Sequence, residues 1–123
     1  MKLPEKEEQL MEIIWSADKI FMKEILDAYP LPKPAPTTIA TLLKRLVDKN
    51  ILGFAEYGNS RQYYAKIKKT DYFSKQVNRL IKNFFNDSAS QFASFFTKET
   101  KLTNKELLDL QKLIKKQIKN QSK

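Results

Sequence analysis

The spacing of apolar residues predicts a mostly α-helical fold with one small β-hairpin. Helical spacing dominates before residue 50 and after residue 69, while aromatic, strand-forming residues cluster between them. Of the 123 residues 41% are apolar, enough to bury a core, and the net charge is +9. That charge is unevenly placed. Residues 1–30 carry four lysines against seven acids, residues 31–69 eight basic residues against two acids, and residues 71–123 eleven against five. Such a chain suits an anionic partner, a nucleic acid or a membrane surface, the alternative being a soluble basic protein with no polyanion to bind. The middle segment is the expected docking surface.

Each element follows from its residues. In "PEKEEQLMEIIWSA", Pro4 suits a first turn, and Glu5, Glu7 and Glu8 suit the positive end of a helix dipole. Leu10, Ile13, Ile14 and Ala17 form one stripe, which Met11 and Trp15 widen; Trp15 is expected to close the core. "DKIF" reads as a turn with one extended pair, and "MKEILDAYP" as a short second helix stopped by Pro30. "LPKPAP" is too rich in proline for a helix or a central strand and is a connector. Pro36 then opens a third helix whose Ile39, Leu42, Leu43, Leu46 and Val47 fall on one face. Thr37, Thr38, Ala40, Thr41, Lys44, Arg45 and Asp48 lie off that face, and Asn50 suits the left-handed end of a helix. "ILGFAEYGNSRQYYAKI" is a hairpin turning at "GNS", with Arg61 on its arm. Three more helices are expected, with Thr70 capping residues 71–85, Asp87 or Ser88 capping 88–97, and Thr103 capping 104–119; Glu106 completes a capping box with Thr103.

Composition removes several function classes. The chain has no histidine, no cysteine and two glycines, so imidazole bases, thiolate nucleophiles, thiolate metal sites and a glycine-rich phosphate loop are all excluded. No catalytic residues, metal ligands or cofactors are expected. A carboxylate-only metal site has no motif behind it. No apolar run reaches the length of a membrane span, and the acidic N-terminus does not read as a signal peptide, so a cytoplasmic location is expected.

Three helices followed by a hairpin, within residues 1–69, make a winged helix-turn-helix domain. In that layout the third helix enters the major groove of duplex DNA. Thr37, Thr38, Ala40 and Thr41 keep its outer face slim, and threonine offers a hydroxyl to a phosphate and a methyl to a thymine. Lys44 and Arg45 reach phosphates or a guanine, and Arg61 and Tyr63 on the wing reach the flanking backbone. Two other readings compete. The helix is an ordinary amphipathic one with a solvated face, or the domain is a protein–protein interaction module, which would call for an apolar or acidic outer face rather than Lys44 and Arg45. Residues 70–123 are expected to form a helical dimerisation region. Leu80, Ile81, Phe84, Phe85, Phe92, Phe95, Phe96, Leu107, Leu110, Ile114 and Ile118 are more apolar surface than three helices bury alone. The rival is a monomer whose tail folds back on the winged helix.

"LPEKEEQLMEIIW", "APTTIATLLKRLVDKN" and the hairpin ending "RQYYA" together resemble the penicillinase-repressor family, the BlaI/MecI-type transcriptional regulators, from Leu3 to about Leu113. The resemblance implies a homodimeric repressor, whose winged helix binds a palindromic operator and whose C-terminal helices dimerise. Thr37, Thr38, Thr41, Lys44 and Arg45 take the DNA-contact role by that match, and Arg61 and Tyr63 the wing role. It also implies a membrane-bound metallopeptidase sensor as a partner, leading to cleavage of the repressor in its C-terminal part. Inducible members are cut at an Asn-Phe bond. Here Ser94-Phe95 stands at about that place, expected between the second and third C-terminal helices, with release by a small ligand or another partner, without a cut, as the alternative. Glu8 stands where the family often has Trp, Phe21 where it often has a capping Thr, and Ala40 where a longer side chain is common. The copper-responsive branch, with its cysteine cluster, is excluded.

Overall fold

The computed structural model describes residues 1–122, which divide into two compact units on either side of the Gln76–Val77 bond. The first unit opens with α1 (Glu5–Ala17), β1 (Lys19–Phe21), α2 (Met22–Ala28) and α3 (Pro36–Asp48). The hairpin β2 (Leu52–Tyr57) and β3 (Ser60–Ala65) follows, and then the start of α4 (Lys69–Phe84). β3 is the central strand of an antiparallel sheet, with β1 on one side and β2 on the other. "DKIF" thus supplies a third strand: Ile20 faces Tyr63 across the ladder, as Phe54 does from the other side. Gly58, at φ +62° in the first position of the two-residue loop, meets the left-handed requirement of a type II′ turn.

Leu10, Met11, Ile14, Ile25, Ile39, Leu43, Leu46 and Leu52 meet in the core, each almost fully buried, with Leu3 beneath them. The buried edge of α1 therefore runs through Glu7, Leu10, Met11 and Ile14, and Ala17 at its end is exposed. Trp15 closes one side as expected, donating its indole N–H to the Ile67 carbonyl at 3.0 Å and packing near Tyr72 and Phe73. Tyr72 also belongs to this core, so the first turns of α4 are part of the N-terminal unit, past the 69/70 boundary expected from sequence.

The caps are mostly those the sequence announced. α3 ends in a Schellman arrangement: the Asn50 amide donates to Val47 at 2.9 Å and the Ile51 amide to Leu46 at 3.1 Å, with Asn50 at φ 63°. Phe21 gives α2 no side-chain cap, and Glu24 compensates by accepting from the Phe21 amide at 3.0 Å. Thr70 does not cap α4, because the helix begins one residue earlier at Lys69.

The second unit contains the rest of α4, α5 (Ala89–Glu99) and α6 (Asn104–Gln121). Ser88 caps α5, and Thr103 and Glu106 form the expected box at α6. Successive left-handed residues, Asn86 and Asp87, make the tight turn out of α4. Phe85 packs against Phe92 and Phe95 with ring centroids 5.5 and 5.2 Å apart, yet no residue from 77 to 122 is buried.

Candidate nucleic-acid interface

α3 owes its position to its two faces. Ile39, Leu42, Leu43 and Leu46 are buried in the core, which leaves Thr37, Thr38, Ala40, Thr41, Lys44 and Arg45 together on the exposed side. No side chain caps its N-terminus at Ala35; Pro36 has no amide N–H and the Thr38 amide donates to the Ala35 carbonyl at 3.0 Å, which leaves the Thr37 amide open to water or to an anion. The Thr41 hydroxyl donates to the Thr37 carbonyl at 3.0 Å. Its proton is thereby committed to the helix, and Thr41 presents a methyl and acceptor lone pairs outward. Lys44 is held by Asp48 at 3.0 Å in an exposed i,i+4 pair. Such a pair contributes only about 0.3–0.5 kcal/mol, so it yields readily to a phosphate. Arg45 has no ion-pair partner among the described residues and carries its charge free.

At the wing, Arg61 is exposed, stacked over the Phe54 ring at 4.2 Å and loosely paired with Glu56 at 3.9 Å. Tyr63 is a correction. Expected beside Arg61, it is 8% exposed and part of the core. Arg61 and Tyr63 share a face of β3, but Tyr63 lies mid-sheet opposite Ile20 and Phe54, whereas Arg61 lies opposite Glu56 toward the tip, beyond the core's edge. The exposed tyrosine near the tip is Tyr57, one residue before the turn glycine and packed edge-on to Phe21. Its place beside "GNS", at the last position of the strand, is the sequence signal of its exposure.

Two long-range connections run from α1, one to the end of α3 and one to the start of α4. Lys49, just past the helix, reaches Glu7 on α1 at 2.6 Å, and Glu7 is buried. The next residue, Glu8, accepts from the Tyr72 hydroxyl at 2.5 Å, while that hydroxyl accepts from the Leu3 amide at 2.8 Å. The adjacent glutamates thus tie the rear of α3 and the start of α4 to the same helix. Nothing in the spacing of Glu7 and Lys49 announces a contact across 42 positions.

In the C-terminal unit the residues expected at a dimer contact differ in exposure. Phe84, Ile114 and Ile118 are strongly exposed, and Phe92, Phe96, Leu107 and Leu110 are half-buried within their own chain. Leu108 and Leu113 on α6 are exposed as well. Ser94 and Phe95 lie inside α5 rather than between helices, a second correction; the segment between α5 and α6 is Thr100–Thr103. Among the described residues no helix is long and apolar enough to cross a membrane, and no acidic cluster is placed to hold a metal ion.

Comparison with known proteins fits this description. A sequence model of the penicillinase repressor family matches residues 3–116. The penicillinase repressor of Bacillus licheniformis is 24% identical over 99% of this chain and 95% of its own length. That of Staphylococcus aureus is 26% identical over 85% of this chain and 84% of its own. A crystal structure of a mutant MarR from E. coli shares the fold, with a TM-score of 0.52 at 17% identity, covering 95% of this chain and 79% of that one. The match spans both the winged helix and the helices after it, and the chain belongs to the penicillinase repressor family, a family of repressors and not of enzymes.

Proposed function

We propose that this chain is a homodimeric repressor that reads a palindromic DNA operator with α3 of each copy. The observation that carries the reading is the two-faced recognition helix: a leucine-rich side with Ile39, Leu42, Leu43 and Leu46 buried, and an outer side of small hydroxyls followed by Lys44 and Arg45. The protein–protein alternative needs an apolar or acidic outer face, and this one is neither. Thr37, Thr38, Ala40 and Thr41 lie close enough to the helix surface for base edges to approach, and Lys44, Arg45 and Arg61 supply phosphate contacts on either side. Tyr57 replaces Tyr63 as the wing's exposed tyrosine. Dimerisation is supported by the exposed apolar side chains Phe84, Leu113, Ile114 and Ile118, which a second copy would cover. Release by proteolysis at Ser94-Phe95 requires α5 to unwind first, since a protease binds extended chain.

The test pairs binding with mass. A duplex selected from a random pool should bind tightly at low salt, and Thr38→Glu should abolish selection while the fold is retained by circular dichroism. Lys44→Ala should reduce the slope of log affinity against log salt by roughly one, the loss of one phosphate contact. Sedimentation should give twice the single-chain mass for the native protein and a single-chain mass for Ile118→Asp. A Thr38→Glu variant that selects and binds the same duplex would remove α3 from the interface.

A further inference from the structure

Beside the N-terminal half of α3 lies a cavity of about 560 Å³, bounded by α1, the end of α2, the proline-rich connector and α3 itself. Its volume is in the range of small-molecule sites, and its lining has their character, mostly apolar with a few polar groups. Ile13, Tyr29, Leu31 and Leu42 form the walls, with Pro30, Pro32 and Pro34 along the connector side. The prolines restrict the connector's backbone, so that wall is stiff without any sheet or helix to hold it. Leu31 is 84% exposed, an apolar side chain left at the mouth.

The charges at the rim set the sign of an occupant. Lys6 and Glu12 are the two charged residues of the lining. Glu12 is already engaged by Lys69 at 2.7 Å. Lys6 has no ion-pair partner among the described residues, so its charge is the uncompensated one. Burial pushes the Tyr29 hydroxyl above its usual pKa, and at neutral pH it remains a protonated donor. We infer that this cavity binds a small aromatic monoanion, its ring among Ile13, Tyr29 and Leu42 and its acid group toward Lys6, and that occupancy opposes DNA binding through Thr38. Thr38 both lines the cavity and stands on the outer face of α3, so an occupant pressing on the first turns of α3 displaces a side chain aimed at the groove. The coupling to DNA rests on the operator-reading function proposed above; the binding site itself does not.

1-Naphthoate is a suitable probe, with neutral 1-naphthalenemethanol as its control, followed by amide NMR shifts on the full chain. Naphthoate should give saturable shifts centred on Ile13, Tyr29, Leu31 and Thr38. Lys6→Gln should weaken naphthoate by about fivefold, the share of one rim ion pair, and leave the alcohol unchanged. Ile13→Trp should fill the cavity and abolish binding of both. At saturation, naphthoate should lower affinity for the selected duplex in the native chain and not in Ile13→Trp. Shifts scattered elsewhere, Lys6→Gln binding naphthoate like the native chain, or duplex affinity unmoved at saturation would each overturn the inference. So would shifts of the same residues on dilution without probe, which would mean that a second copy occupies the cavity. A chain that binds naphthoate as described but no duplex under any condition would instead defeat the operator-reading function.

Discussion

α3 and α6 are both amphipathic helices of good periodicity, and the fold treats them oppositely. In α3 the apolar stripe is buried to within a few per cent: Ile39, Leu43 and Leu46 are 0–2% exposed. In α6 Ile114 and Ile118 remain 59% and 60% exposed, and nothing on that helix is buried. The difference is one of available neighbours. α1 and the sheet pack against α3 from the same unit, whereas α6 belongs to a unit of three helices with no interior. Periodicity states that a helix will have a covered face; it does not state what covers it.

The largest test of this contrast is truncation within each stripe. Leu46→Ala should cost about 2–5 kcal/mol of stability by leaving a cavity in a closed core. Ile114→Ala should barely change the melting of a dilute chain and instead weaken self-association. Thermal unfolding across a range of protein concentrations separates the two, and equal concentration-independent losses would show that α6 is covered within its own chain.

A smaller effect is expected at the sheet. Gly53 sits opposite Tyr64 on β3, and a Cβ there would fall 2.6 Å from the Tyr64 ring. The ring is part-exposed and can move aside, so Gly53→Ala should cost about 1 kcal/mol, a modest strain of overpacking. In a Tyr64→Ala background the same substitution should turn neutral or stabilising, because alanine then only removes glycine's excess chain entropy. Denaturant titration of the four proteins gives the coupling, and simple additivity would contradict the contact.

The smallest effect is at the start of α6. The Thr103 amide donates to the Glu106 carboxylate at 3.0 Å, and the Thr103 backbone and side chain together hold the Glu106 pKa below its ordinary value. A depressed carboxylate stabilises the folded form above its unfolded pKa and loses that contribution as pH falls through the folded value. Helicity should therefore decline slightly as the protein is acidified through the carboxylate range. Glu106→Gln should remove the share of that decline that comes from α6, measured by circular dichroism, without changing the melting of the N-terminal unit.

Much of this fold was legible because its signals are local. The buried stripe of α3, the Asn50 terminus, the "GNS" turn and the Thr103–Glu106 box each depend on residues within a few positions of one another. The outer row from Thr37 to Arg45 was legible for the same reason: a helix with four buried residues at fixed spacing has its other positions assigned. The burial of Tyr63 is not legible in the same way, because alternation along a strand gives the face but not where the core beneath it ends. Ser94-Phe95 falls within the helix expected over residues 88–97, and the structure follows that local spacing rather than the place between helices expected for the cut.

The sequence by itself determined the order of elements, the exclusion of histidine and cysteine chemistry, and which face of α3 would be free, since composition and local spacing suffice for these. Only the tertiary structure decided that Glu7 would be buried against Lys49, that Glu8 would meet Tyr72, and that the connector prolines would wall a cavity beside Thr38. Those contacts join residues distant in sequence, and their geometry follows from how whole elements pack, which no short stretch of the chain specifies.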